Sequence, residues 1–180
     1  MSLHAAARDE LRAWAPADDQ QRRLRDAVLD HLDRHADGVW RTCAPAHLTA
    51  SAAILDPSGR RLLLVLHRKV RRWLQPGGHC EAEDATLGDT ALREATEESG
   101  IGDLRLVPGI LHVDRHPAPC KPGVVDEHFD VRYLVTSEAG AVASVSHESD
   151  DVRWFDWDRL PGGLEATISE MLELGRARLL

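Results

Sequence analysis

Little in this 180-residue sequence points to disulfides, a membrane or a polyanionic partner. The three cysteines, Cys43, Cys80 and Cys120, lie far apart and form no CxxC pair. That odd count, without a recognisable signal peptide, favours reduced thiols and a cytoplasmic location. The longest apolar run, LLLVL at residues 62–66, is far too short to span a bilayer, so no membrane partner is expected. Basic residues are in deficit, 22 against 30 acidic ones, for a formal net charge of -8. A nucleic-acid scaffold held by phosphate contacts is therefore not expected. A phosphorylated small molecule is still compatible, provided a divalent cation bridges the charges. There is no internal repeat and no low-complexity tract. What is there, 43% hydrophobic and 29% charged residues, is the composition of a soluble domain long enough to bury a core.

Two architectures succeed one another along the chain. Residues 1–45 read as helical. Leu3, Ala7, Leu11 and Trp14 make one apolar stripe, and Leu24, Val28 and Leu32 make another in a helix running from near Asp18 to Gly38. From residue 48 the period shortens. Residues 48–56 and 61–68, joined by the turn PSGR, read as a hairpin. QPGG at 75–78 breaks the chain before a helix predicted from about Thr86 to Ser99, closed by Gly100. Strands are predicted near 104–116, 127–135 and 151–155, and a last helix from about Leu164. This mixture suggests an α/β fold, a mixed sheet with helices packed on it. The division expected is a helical extension over 1–45 and a second domain over 46–180.

The segment REATEESG, residues 93–100, places Glu94, Glu97 and Glu98 at i, i+3 and i+4 on one helix face. Like charges at that spacing repel by about 0.2–0.5 kcal/mol per pair, and Arg93 alone cannot neutralise three carboxylates. Ala91, Leu92 and Ala95 form the neighbouring buried side, small enough for close packing. A carboxylate cluster on a closely packed helix suits a hard cation such as magnesium, with manganese as the second candidate. The PGG turn ahead of it lets backbone approach both metal and phosphate, so Gly78 joins Glu94, Glu97 and Glu98 in the expected metal set. A solvated helix face is the competing explanation.

GGHCEAEDATLGDTALREATEESGI, residues 77–101, resembles the signature of the Nudix hydrolase family, G-x5-E-x7-R-E-U-x-E-E-x-G-U, where U is bulky and apolar. The second half fits at Arg93, Glu94, Glu97, Glu98, Gly100 and Ile101, with small Ala95 at the first U. The first half departs by one extra residue, so Asp84 or Glu83 substitutes for the first motif glutamate. WLQPGGH (73–79) and ESDDVRWFDWDRLP (148–161) also resemble Nudix segments. The resemblance covers roughly residues 46–180. It implies an α/β/α sandwich and a pyrophosphohydrolase that cleaves a diphosphate linkage in a small nucleoside-diphosphate-type metabolite by water attack on phosphorus. It also implies a magnesium requirement, Glu94 and Glu98 then Glu97 as ligands, Arg93 in the catalytic set, and a general base that is a signature glutamate or Glu148 on a later loop. Arg68, within the basic run HRKVRR, stands where the family often places a substrate-contacting arginine. Pro117 lies roughly where ADP-ribose-cleaving relatives carry a proline, although turn chemistry explains it equally.

A second pattern is independent of the signature. His112, Asp114 and His116 alternate along one predicted strand, as do His128, Asp130 and Arg132 along the next, with apolar Val113, Phe129, Val131 and Tyr133 between them. If the strands pair, the polar rows share one surface, expected to line a substrate cleft together with His79 after the glycines. An exposed face of cross-strand pairs is the alternative, and a zinc site from the three strand histidines is another. Trp73 could stack on a base, but core packing suits it better. A non-catalytic Nudix-like ligand-binding or regulatory module is the rival function. The N-terminal helices could cap the site, pack on the domain or pair two copies in a homodimer.

Overall fold

The computed structural model describes residues 1–121, 124–147 and 149–179, with side chains outside 119–126. Two helices come first, α1 (Leu3–Ala13) and α2 (Asp19–Arg34). Each begins where a short polar side chain satisfies an otherwise orphan amide: Ser2 Oγ accepts from Ala5 N, and Asp18 accepts from Gln21 N at 2.8 Å. The strands β1 (Ala46–Leu55), β2 (Arg61–His67), β3 (Arg72–Leu74) and β4 (Gly77–His79) precede α3 (Leu87–Ser99). Then follow β5 (Arg105–Lys121), β6 (Val124–Thr136), β7 (Ser149–Asp156) and α4 (Ala166–Leu179). α3 starts in a capping box between Thr86 and Asp89 and stops at Gly100, whose φ of 68° is left-handed.

Among the described residues the strands form one mixed sheet in the order β3-β2-β1-β6-β5, with β4 paired to β1 and β7 to β2. β1 and β6 run parallel along their length, from Ala46 opposite Glu127 to Leu55 opposite Thr136, and the other pairs are antiparallel. Because side chains alternate, one face of β1 carries Leu48, Ala50, Ala52 and Ile54, and the other His47, Thr49, Ser51, Ala53 and Leu55. The first face packs under α1, α2 and α3, through Leu3, Ala7, Leu11, Val28, Leu32, Leu87 and Ala91. The second packs under α4 at one end, where Ala53, Leu55 and Leu134 meet Ile168, Met171 and Leu172. This is the expected α/β/α sandwich with its N-terminal helices, and those helices share the main core.

Two polar contacts tie the N-terminal helices down. Tyr133 donates to the Glu10 carboxylate at 2.9 Å. The Gln21 side-chain amide accepts from Val113 N at 2.7 Å and donates to Val113 O at 3.0 Å, completing the backbone bonding of the edge strand β5. No helix among the described residues is long and apolar enough to cross a membrane. The structure adds β3 and β4, which the sequence reading passed over, and extends β5 and β6 beyond their expected lengths. A register shift between Val107 and His112 interrupts the β5–β6 pairing, at Pro108 and Gly109.

Candidate active site

The glycine turn and α3 meet at the site. β4 pairs with β1 through backbone alone, Gly78 opposite Ala50 and Gly77 opposite Ser51. A side chain on Gly78 would meet Glu94 Oε1 at 2.5 Å, so glycine is required for this carboxylate to lie against the strand. Gly77 N donates to Glu98 Oε2 at 3.3 Å, and Glu98 is buried. Glu94 and Glu98, one turn apart on α3, therefore close on the same two glycines. Glu97 points outward, with 59% of its side chain exposed.

Arg93 fixes this corner. Its guanidinium donates to both oxygens of Asp84 at 3.1 and 3.0 Å, to Glu94 Oε1 at 3.0 Å and to the His79 carbonyl at 2.8 Å. Burial works against its charge, but the Asp84 and Glu94 carboxylates outweigh burial and hold it protonated. Asp84 is buried and also accepts from Thr90 Oγ1 at 2.8 Å and Glu81 N at 2.9 Å. Burial alone would raise its pKa, yet Arg93 and these donors keep it below the usual carboxylate range. Of the two candidates for the displaced motif glutamate, Asp84 makes this contact and Glu83 is exposed.

The two polar strand rows do share a face. His112 pairs opposite Arg132, Asp114 opposite Asp130 and His116 opposite His128. Their centre is buried: Arg132 and Asp130 are 2% and 3% exposed. Arg132 donates to Asp130 at 2.9 Å, to Asp114 at 2.8 Å and to the Thr167 carbonyl at 3.0 Å. Asp130 also accepts from Thr49 at 3.1 Å and Ser51 at 2.7 Å, with Gln75 at 3.4 Å. These donors and the Arg132 charge outweigh burial and hold the Asp130 carboxyl low. His116 donates Nδ1–H to Asp114 at 3.1 Å, and that bond outweighs burial to raise its pKa. Burial first, then neighbouring cations and imidazoles, lowers His79 to about 4 and His128 to about 3.

Six of the eight residues expected to bind substrate thus gather on one surface: His79, Asp114, His116, His128, Asp130 and Arg132. Two do not join them by contact. His112 shares the face but sits at its margin, with Nε2 3.0 Å from Gln21 Nε2 of α2 and 3.7 Å from Glu170 of α4, and burial lowers its pKa to about 4. Arg68 is engaged with β7, donating to Asp150 at 3.1 Å and to the Ser149 carbonyl at 3.2 Å. Trp73 packs edge-on against Phe155, in keeping with a core role, and Pro117 lies within β5 opposite Glu127. Glu148 lies outside the described residues. The sequence reading missed His47, Thr49, Ser51 and Gln75. Their signal was available: alternate polar positions in the otherwise apolar strand AHLTASAAIL put the first three on one face.

A NUDIX domain model matches residues 45–174. The chain belongs to the NUDIX family. As a family member it is a Nudix-type pyrophosphohydrolase, the class its signature implied. Solved structures of similar fold include an Ap4A hydrolase from C. elegans, with 21% identity, a TM-score of 0.58, and coverage of 73% of this chain and 96% of that one. A MutT NUDIX hydrolase from Burkholderia pseudomallei has 25% identity, a TM-score of 0.56, and coverage of 72% and 97%. An ADP-ribose pyrophosphatase from Streptococcus suis has 22% identity, a TM-score of 0.52, and coverage of 72% and 91%. No curated protein matches the sequence. The N-terminal helices α1 and α2 precede the segment matched as a NUDIX domain.

Proposed function

We propose that this NUDIX chain is a magnesium-dependent hydrolase, with manganese as substitute, that cleaves the diphosphate linkage of a small nucleoside-diphosphate-type metabolite. The observation that carries the reading is the closure of Glu94 and Glu98 on the side-chain-free strand at Gly77 and Gly78. Oxygen donors from two carboxylates and adjacent backbone suit a hard cation that keeps some of its waters for substrate phosphate. Glu94, Glu98 and the Gly78 backbone would hold the ion, with exposed Glu97 as an outer member. When bound, it neutralises the diphosphate oxygens as water attacks phosphorus.

The chain's own residues do the rest. Arg93, locked by Asp84, fixes the orientation of Glu94 and of the His79 carbonyl. A signature glutamate or Glu148 takes the proton from the attacking water. His116 and His128, positioned by the buried network of Asp114, Asp130 and Arg132, select the group beyond the diphosphate, with His79 at their edge and Arg68 and His112 outside them. Two fold neighbours are named for nucleotide compounds, an Ap4A hydrolase and an ADP-ribose pyrophosphatase, in line with a nucleoside-linked substrate.

Glu98→Gln tests the metal assignment. It keeps shape and removes an anionic ligand, so turnover should fall by at least about 100-fold, equivalent to about 2.7 kcal/mol of barrier, while the thermal melt stays within a few degrees. Near-normal turnover in that variant would remove Glu98 from the metal set.

A further inference from the structure

His47, His79 and His128 come from three different strands and converge on the sheet face away from α3. Their nitrogen donor atoms lie within 4.8 Å of one another. The rings stand close, with centroids 4.8 Å apart for His47 and His128, 5.1 Å for His79 and His128, and 5.2 Å for His47 and His79. This is a different triple from the one the strand rows suggested, since His112 sits at the margin of the face against Gln21 of α2. We propose that His47, His79 and His128 form a second metal site, for zinc or a similar borderline transition ion, separate from the carboxylate site on α3.

Three features support it. The donor set is all imidazole, which suits zinc and does not suit magnesium. A tetrahedral ion with metal–nitrogen distances of about 2.0–2.1 Å holds its nitrogens roughly 3.4 Å apart, so closing the triad takes ring rotations of about an ångström. His47 is fully buried, and its Nδ1 lies 3.2 Å from the Cys43 carbonyl. Donation there fixes the tautomer with the lone pair on Nε2, the outer bond typical of a ligating histidine. Three protein ligands leave a fourth position for water or a substrate oxygen. It would lie beside His116, whose ring centroid is 5.5 Å from that of His128.

Among the described residues, one other group competes. His35, Asp37 and Cys43 also bring donor atoms within 4.8 Å. Its cysteine sets it apart from the all-imidazole triad, because an ion bound there would carry a sulfur ligand.

The test is metal content after equilibrium dialysis of the full chain against zinc with excess magnesium, followed by the visible spectrum of the cobalt-substituted protein. The expected result is one zinc per chain, kept in Glu98→Gln and Cys43→Ser and lost in His79→Ala and His128→Ala. Cobalt should give tetrahedral bands without sulfur-to-metal charge transfer. That spectrum is read on the unmutated chain, so the test holds even if a histidine variant misfolds. Failure to retain stoichiometric zinc, zinc retained by both histidine variants, loss in Cys43→Ser, or a sulfur charge-transfer band would each overturn the site. Because the readout is zinc content, the result stands apart from whether the carboxylate site hydrolyses diphosphates.

Discussion

At the scale of single residues, Asp56 shows how one carboxylate organises a turn. It accepts from Arg60 N and Arg61 N, each at 3.0 Å, from Ser58 Oγ, and from the Arg61 side chain. Burial alone would raise its pKa, but these donors together bring it below the ordinary 3.8. A carboxyl depressed on folding contributes stability above its unfolded pKa and loses it as pH falls through the folded value. Asp56→Ala should therefore cost about 1–3 kcal/mol at neutral pH, the loss of several hydrogen bonds to a charged carboxylate. The gap to the unsubstituted protein should narrow below about pH 4. Chemical denaturation at a series of pH values reads both, and a gap that persists at low pH would show that packing rather than charge is lost. The same scale shows what single residues reveal in sequence. Glu94 and Glu98 were legible because a motif fixes them. Thr49 and Ser51 could be placed on one face by alternation, but their role, and that of Gln75 outside the strand, acquires meaning only once Asp130 is known to lie within their reach.

At the scale of elements, periodicity served the helices well and β4 poorly. The stripes of α1 and α2 are what their buried faces became: Leu3, Ala7, Leu11, Val28 and Leu32 lie under 10% exposed. Capping chemistry placed α3 within a residue at each end. β4 escaped because PGG reads as a turn, and its three residues join the sheet by backbone pairing that leaves no side-chain period. β5 escaped in part because Pro108 and Gly109 lie within it. Short isolated helices are marginal in water, so α1 and α2 depend on the surface they cover, which includes Val113, Phe129, Val131 and Tyr133. Deleting residues 1–40 should uncover it, strand Val113 without Gln21, and produce aggregation or a changed oligomeric state by light scattering. A soluble truncated protein with an unchanged melt would make those helices dispensable.

At the scale of the whole molecule, the sheet separates two tasks. One face is mainly apolar under α1, α2 and α3, and α3 carries the carboxylates. The other is apolar under α4 and polar at its far end, where Asp114, Asp130 and Arg132 form a buried, mutually satisfied network. Breaking a buried pair by removing one partner is costly, so the substitution that probes selectivity keeps shape. Asp114→Asn retains an acceptor for Arg132 but drops the charge. Steady-state kinetics should show KM rising about tenfold, or ~1.4 kcal/mol, or a shifted substrate preference, with the magnesium dependence unchanged. Unaltered kinetics on every substrate would take the polar rows out of the cleft. The sandwich itself was legible from alternating patterns and the signature, whereas the meeting of β1, β4 and β6 at one polar surface required knowing that β1 and β6 run parallel. The central claim is that Glu94 and Glu98 hold a divalent ion for diphosphate hydrolysis. Its most direct measurement is product formation from a panel of nucleotide sugars, dinucleotides and nucleoside triphosphates, with magnesium and with chelator. The account predicts cleavage at the diphosphate of at least one compound, restored by magnesium after chelation and abolished in Glu98→Gln. Cleavage that proceeds equally with chelator present would contradict it, as would none across the panel with magnesium or manganese.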